Sequence, residues 1–302
     1  MKSYQRLMII ILASLLISCV LCPPVFYLIQ YLRSLSTGLQ NALDFPFDRV
    51  MRRVILVVSI LVLYRERKRL DIKSLASMGL ARRRGWKSLL IRGWILGFCS
   101  LAIMLLVMMM IGSRFVECDF SGPWDFIFQL AHAFLTGAVV ALIEEVFFRG
   151  FILQSLLKDL RAGVAVFWTS VFFAIVHFFN AADLPNPGWL APFYGFKAVA
   201  YFFQPLRTPS EWIPGFIGLF LVGVVLAYAC LWTRSLYLAI GLHAGWVFTI
   251  KAEGIFLVRL KSFYPWFFGG GEIVTGVFGW IMLLFMLAIL RYFIPREDTP
   301  LT

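Results

Sequence analysis

The chain has 302 residues, 61% hydrophobic and only 15% charged, with a mean hydropathy of +0.85 and a formal net charge of +12. That balance excludes an ordinary water-soluble globular domain and predicts an all-α polytopic membrane protein, a single membrane domain over 1–302. The positive charge would suit a nucleic-acid binder only if it were spread over a surface, and it is not: residues 65–92 hold ten Lys and Arg against Glu66 and Asp71, which is eight of the twelve net charges.

In chain order, Lys2 and Arg6 precede an apolar run over 7–32. Leu16-Ile-Ser-Cys19 resembles a lipoprotein cleavage site, but the run continues well past Cys19. A retained first membrane helix, kinked or broken at Pro23 and Pro24, fits better than a signal peptide. A second span over 54–64 is short and must borrow from 45–53 or let its arginines snorkel. The basic 65–92 segment then reads as a cytoplasmic loop against anionic headgroups, with an interfacial stretch at 72–80, and not as a nucleic-acid site.

A third span covers about 89–111, 114–125 forms a short connector, and a fourth span covers about 126–156. After a turn at 158–163, a fifth runs over 164–179. The longest irregular segment, 180–212, is read as a functional loop or re-entrant cap. Three more spans, at 213–232, 236–250 and 273–293, bring the expected bundle to about eight with both termini cytoplasmic. The five cysteines are scattered and form neither a disulfide framework nor a zinc pattern; Cys19 and Cys22 read as small buried hydrophobes.

The chemistry concentrates in Glu144-Glu145-Val-Phe-Phe-Arg149, inside the fourth span. An ionisable group at bilayer depth costs on the order of 3 kcal/mol even on lenient insertion scales, so adjacent carboxylates with an arginine need partners and mark a site. At about 100° per residue, Glu145 and Arg149 share one helix face and can pair, while Glu144 projects to another face, from which a carboxylate can act as a general base. The alternative is that both acids share Arg149 in a buried structural network.

Three histidines, His132, His177 and His243, lie in expected membrane helices. The turn between the fourth and fifth spans centres near residue 160, with Glu144 and His177 almost equidistant from it. In an antiparallel hairpin both then sit roughly 25 Å from the turn, at one depth. His243 lies between Gly241 and Gly245, and small-xxx-small spacing lets another helix approach closely, so His243 could complete a site between the fourth, fifth and seventh helices.

Glu144-Glu145-x-x-x-Arg149, then Phe173-Ala-Ile-Val-His177, then His243 resemble the CAAX protease and bacteriocin-processing (CPBP, or Abi) family of intramembrane proteases, over a core of roughly 125–255. The resemblance implies a helical intramembrane endopeptidase. It implies that Glu144 and His177 activate a water, that Glu145 and Arg149 support them, and that His243 donates to the developing oxyanion. In the family an Asn often stands four residues after that last His; here Val247 does, leaving Asn180 or Thr249 as possible oxyanion donors, slower turnover, or a non-catalytic relative.

Two His and a Glu could also hold a zinc, but no local His-x-x-x-His or Glu-x-x-His spacing supports it, so no cofactor is expected. The expected partners are a membrane-embedded peptide or protein substrate and the lipid bilayer. The Phe-Phe-Arg-Gly continuation resembles bacterial members, which implies a bacterial plasma membrane and a non-prenylated substrate. A non-catalytic immunity or scaffold protein, and more remotely a transporter with a proton-relay glutamate, remain open alternatives.

Overall fold

Backbone placed in hydrocarbon must satisfy its own hydrogen bonds, and the apolar runs of this chain do so as helices. The computed structural model describes residues 2–82, 84–117, 120–178, 184–188, 191, 193–202, 208–259, 264–269 and 273–294, without the side chains of 41, 42, 211 and 259. In order these form α1 (Ser3–Ser34), α2 (Thr37–Ala42), α3 (Phe47–Glu66), α4 (Trp86–Met110), β1 (Arg114–Val116) and α5 (Pro123–Glu145). A π-helical segment, Val146–Leu153, continues α5 into α6 (Gln154–Leu156). Then come α7 (Ala162–His177), α8 (Tyr194–Phe202), α9 (Pro209–Thr233), α10 (Leu236–Phe256), β2 (Leu257–Arg259), α11 (Pro265–Phe268) and α12 (Val277–Phe293).

Among the described residues, four helices are long and apolar enough to cross a membrane: Ser3–Ser34, Trp86–Met110, Pro123–Leu156 and Trp212–Thr233. Ala162–His177 and Val277–Phe293 are apolar but shorter. Met8, Leu12, Leu16 and Val20 on α1, and Ile91, Ile95, Ile103 and Leu106 on α4, face outward. Such a surface is solvated by lipid tails and not by water. The chain is an all-α integral membrane protein.

Its contacts divide it into two compact units, residues 1–71 with 175–212 and residues 72–174 with 213–302. In the first, Phe26 of α1 meets Phe47 of α3 edge-on at 5.3 Å between centroids, and Arg6 Nη1 donates to the Arg69 carbonyl at 2.8 Å. The expected break at Pro23 and Pro24 does not occur, for α1 is one helix through both prolines. Pro23 has no N–H for the Cys19 carbonyl four residues earlier. That carbonyl instead faces Gly195 of α8, where any Cβ would collide with it.

α8 also revises the reading of 180–212 as irregular. Residues 194–202 are helical and bury Gly195, Ala198 and Phe202 at helical spacing. Cys19 and Cys22 pack there with Phe26, Phe47, Met51, Ala198 and Phe202 as small core residues. The Tyr27 hydroxyl donates to Gly188 O at 2.6 Å and accepts from Ala191 N at 3.0 Å, tying the 184–191 stretch to α1.

The second unit is built on glycine. Gly93 and Gly97 of α4 face the Leu238 and Leu242 carbonyls of α10, while Gly241 and Gly245 of α10 face the Leu90 and Trp94 carbonyls of α4. Residue numbers rise together on both sides, so the two helices are parallel and pack backbone to backbone. α5 runs antiparallel to α10: Gly137 lies against Ala244 and Phe248, Ala141 packs with Ile240 and Ala244, and Ala133 with Phe248 and Ile255. At the far end of α4 and α10, β1 and β2 pair antiparallel with Phe115 opposite Val258. There Arg114 Nε donates to Glu253 Oε1 at 2.8 Å, with both side chains buried.

Close backbone contact leaves no room for a side chain, and overpacking a tight core costs about 1–3 kcal/mol. We expect Gly97→Ala, whose Cβ would meet the Leu242 carbonyl, to destabilise the protein by that amount in denaturant titrations in detergent. Gly254→Ala, where nothing lies within 4 Å, should be neutral or slightly stabilising.

Candidate active site

Glu145 is the last residue of α5 and Arg149 lies in the π-helical segment; both side chains are fully buried. Arg149 Nη1 donates to Glu145 Oε1 at 2.9 Å, and Arg149 Nη2 donates to the Gly223 carbonyl of α9 at 3.1 Å. The guanidinium stands 4.7 Å from the Phe173 ring centre and 5.7 Å from that of Phe148. A buried carboxylate is tolerable in hydrocarbon when a cation and its hydrogen bonds accompany it, and here the cation is also held by a carbonyl and by aromatic faces. One-turn π insertions in membrane and soluble helices often occur where side chains must be re-aimed at a site.

His243 joins this pair from α10. Its Nδ1 lies 2.8 Å from Glu145 Oε1, the same oxygen that Arg149 contacts. A carboxylate beside a guanidinium only accepts, so the proton in this bond belongs to Nδ1. That orients the ring and leaves Nε2 for chemistry, 3.9 Å from Glu144 Oε2. The separation exceeds a direct hydrogen bond but suits a water bonded to one group and reaching the other. Glu144 keeps 22% side-chain exposure, whereas Glu145 has none. The adjacent acids therefore have different surroundings: one is enclosed and tied to Arg149 and His243, the other is at the edge of the buried cluster.

Glu144, Glu145, Arg149 and His243 thus come together within the second unit. His177 closes α7, is exposed, and falls in the first unit. Asn180 lies outside the described residues. The Thr249 hydroxyl donates to Gly245 O of its own helix at 2.8 Å. Besides pairing with Arg149, Glu145 touches His243 directly.

Sequence reasoning did not assign the Gly223 carbonyl or the part played by Phe173. Phe173 covers Arg149 and meets the His243 ring edge-on at 6.3 Å. The aromatic residue one turn before His177 was a visible signal for it. Nothing in spacing pointed to Gly223, 74 positions from Arg149. Among the described residues, no group of three or more His, Cys, Asp or Glu is arranged to hold a metal ion.

Residues 126–249 match the family model described as Rce1-like, type II CAAX prenyl endopeptidase Rce1-like. No curated protein and no solved structure matches the chain.

Removing one partner of a buried ion pair costs about 3–5 kcal/mol, because the other charge stays behind. Glu145→Ala should therefore lower stability in denaturant titrations by about that much, whereas Glu144→Ala should cost about 1 kcal/mol or less. Equal losses would mean that the two acids share one structural role.

Proposed function

Because residues 126–249 belong to the type II CAAX prenyl endopeptidase Rce1-like family, a family of proteases, we propose that this chain is an intramembrane endopeptidase that hydrolyses a peptide bond of a membrane-associated peptide or protein. The observation that carries the reading is the His243 ring, anchored through Nδ1 by Glu145 and presenting Nε2 to Glu144 at 3.9 Å.

In the proposed reaction Glu144 takes a proton from water as the water oxygen attacks the scissile carbonyl carbon. The carbonyl oxygen becomes an oxyanion, which His243 stabilises through Nε2–H. Since Nδ1–H already serves Glu145, this donation requires the imidazolium. Collapse of the intermediate breaks the C–N bond, and Glu144 returns its proton to the leaving amine.

We propose metal-free chemistry. Glu145 Oε1 and His243 Nδ1 are engaged with each other, and the guanidinium on that same oxygen repels a divalent cation. We further propose about eight spans, with the site between the fourth, fifth and seventh. The basic 65–92 loop and both termini would be cytoplasmic, with the loop against anionic headgroups, in a bacterial plasma membrane. The family description supports a prenylated substrate and the Phe-Phe-Arg-Gly continuation a non-prenylated one, so substrates of both kinds belong in the test.

A second reading, a non-catalytic binding, immunity or scaffold protein, is favoured by Val247, which cannot hydrogen-bond to an oxyanion. The deciding measurement is cleavage of quenched membrane peptides, prenylated and unprenylated, by purified protein with and without a strong chelator. We expect cleavage that chelator leaves unchanged, a loss of at least about a thousandfold in kcat for Glu144→Gln, and a gain for Val247→Asn on the scale of one oxyanion donor, about tenfold or more. No cleavage by wild type or Val247→Asn would favour the binding reading, and chelator sensitivity would place a metal in the site.

A further inference from the structure

One outward stripe of α5 carries a polar side chain among groups that lipid tails solvate. Trp124, Phe128, His132, Leu135, Val139 and Leu142 follow one another at three- and four-residue spacing, are all exposed, and fall on a single face of the helix. His132 alone among them is not apolar. Beside it, α10 stays buried or half-buried from Leu236 to Thr249 and first emerges at Ile250 and Lys251. Ala133 packs there with Phe248 and Ile255. His132 and Lys251 consequently form two walls of one open cleft of about 230 Å³, lined also by Phe128, Gln129, Ala133 and Ile255.

The cleft presents a cation that the protein does not neutralise. Among the described residues, neither Lys251 nor His132 has a protein hydrogen bond, ion pair or ring contact. The acids at this end are engaged elsewhere: Glu253 accepts from Arg114 Nε at 2.8 Å, and Asp125 from Ser121 N at 3.0 Å and Gln129 Nε2 at 3.1 Å. An unpaired cation in hydrocarbon is costly, and lysine avoids this by stretching towards the headgroups. Lys251 lies five residues, about 8 Å of helix, before α10 ends at Phe256. Trp124, Tyr264 and Trp266 are exposed at the same end, and aromatics of these types collect at headgroup level. Gly254, one turn beyond Lys251, is exposed with nothing within 4 Å of an added Cβ, so the space there is open. The basic segment docks at the opposite end of α10, where Leu236 N donates to Gly79 O at 2.9 Å and the Tyr237 hydroxyl to Leu80 O at 3.2 Å.

We propose that His132 and Lys251 bind the phosphate of one anionic phospholipid, on the membrane face opposite the basic 65–92 segment. The Lys251 ammonium and a ring N–H of His132 donate to phosphate oxygens, and the ammonium balances the charge of the lipid. The acyl chains run from there along Leu135, Val139 and Leu142, the continuation of the same exposed stripe. A lipid suits this cleft better than a peptide does, because both walls are helices whose backbone bonds are already made, leaving nothing to pair with peptide amides. The bound lipid bridges α5 and α10, the helices that carry Glu145 and His243. It lies eight residues, about 12 Å of helix, from His243 and does not depend on the endopeptidase reading.

The test is native mass spectrometry of the full chain, stripped of lipid in detergent and titrated with phosphatidylglycerol, for wild type, Lys251→Gln, Lys251→Arg and His132→Leu. The basic segment also attracts anionic lipid, so the difference between variants is what counts. Expected is one phosphatidylglycerol site that wild type and Lys251→Arg share, about fivefold weaker in Lys251→Gln and weakened in His132→Leu. Phosphatidylcholine, whose own cation offsets its phosphate, should bind all four alike. Equal phosphatidylglycerol affinity in wild type, Lys251→Gln and His132→Leu would overturn the proposal. Displacement of the lipid by millimolar inorganic phosphate would also overturn it and assign the cleft to free phosphate. A raised KM on the peptide panel in Lys251→Gln, with lipid binding unchanged, would assign the cleft to a peptide instead. Both side chains are exposed, so the variants should fold; if Lys251→Gln does not, His132→Leu against wild type decides.

Discussion

One carboxylate oxygen, Glu145 Oε1, accepts from both Arg149 and His243 in a region without solvent exposure. Much of the second unit is organised by that arrangement. The acid comes from the end of α5, the guanidinium from the π-helical segment, the imidazole from α10, a carbonyl from α9 and an aromatic cover from α7. Lysine could not replace Arg149 here. The planar fork lets one terminal nitrogen face the acid and the other the Gly223 carbonyl while the flat face lies near Phe173, and an ammonium offers no such face.

The imidazole can reach that oxygen only if α10 sits at the right depth and rotation, and this is decided on the opposite side of the helix. Gly241 and Gly245 flank His243 in sequence and meet the carbonyls of Leu90 and Trp94 on α4, while Gly93 and Gly97 return the contact. The Trp246 indole N–H adds a bond to Ser100 Oγ at 3.0 Å. Lipid tails are as apolar as leucine, so association in a bilayer comes from such close packing and from interhelical hydrogen bonds. α4 lies outside the segment 126–249 that carries the family pattern, yet it supports the helix that carries His243.

The features legible in the sequence were those with a fixed local period. The i,i+4 spacing of Glu145 and Arg149 made their contact available to inspection, and Gly241-x-x-x-Gly245 announced a close neighbour without naming it. Gly93-x-x-x-Gly97, the same signal on α4, was equally visible and would have named that neighbour. Two other features were not legible. Pro23 and Pro24 left a break open beside a kink, because nothing local shows that α8 will lie against the carbonyl Pro23 leaves without a donor. The division of work between Glu144 and Glu145 was half legible: the helical angle separates them, but only tertiary packing decides which one receives the histidine. Arg114 looked like part of a polar connector because its partner, Glu253, is 139 residues away.

That distant pair completes the account of α10. Ten residues, about 15 Å of helix, separate His243 from Glu253, and each is tied to another segment, His243 by a hydrogen bond to Glu145 and Glu253 by an ion pair to Arg114. A helix held by one polar contact can still turn about it. Sliding α10 by one residue would move it about 1.5 Å and rotate it about 100°, so neither buried bond would survive and the polar groups of both would be stranded where water does not compensate. The β1–β2 pairing just past Glu253 opposes the same motion through backbone hydrogen bonds. The orientation of the His243 ring is therefore a property of the whole length of α10: glycine packing sets its distance from α4, and a buried hydrogen bond and a buried ion pair set its depth and rotation.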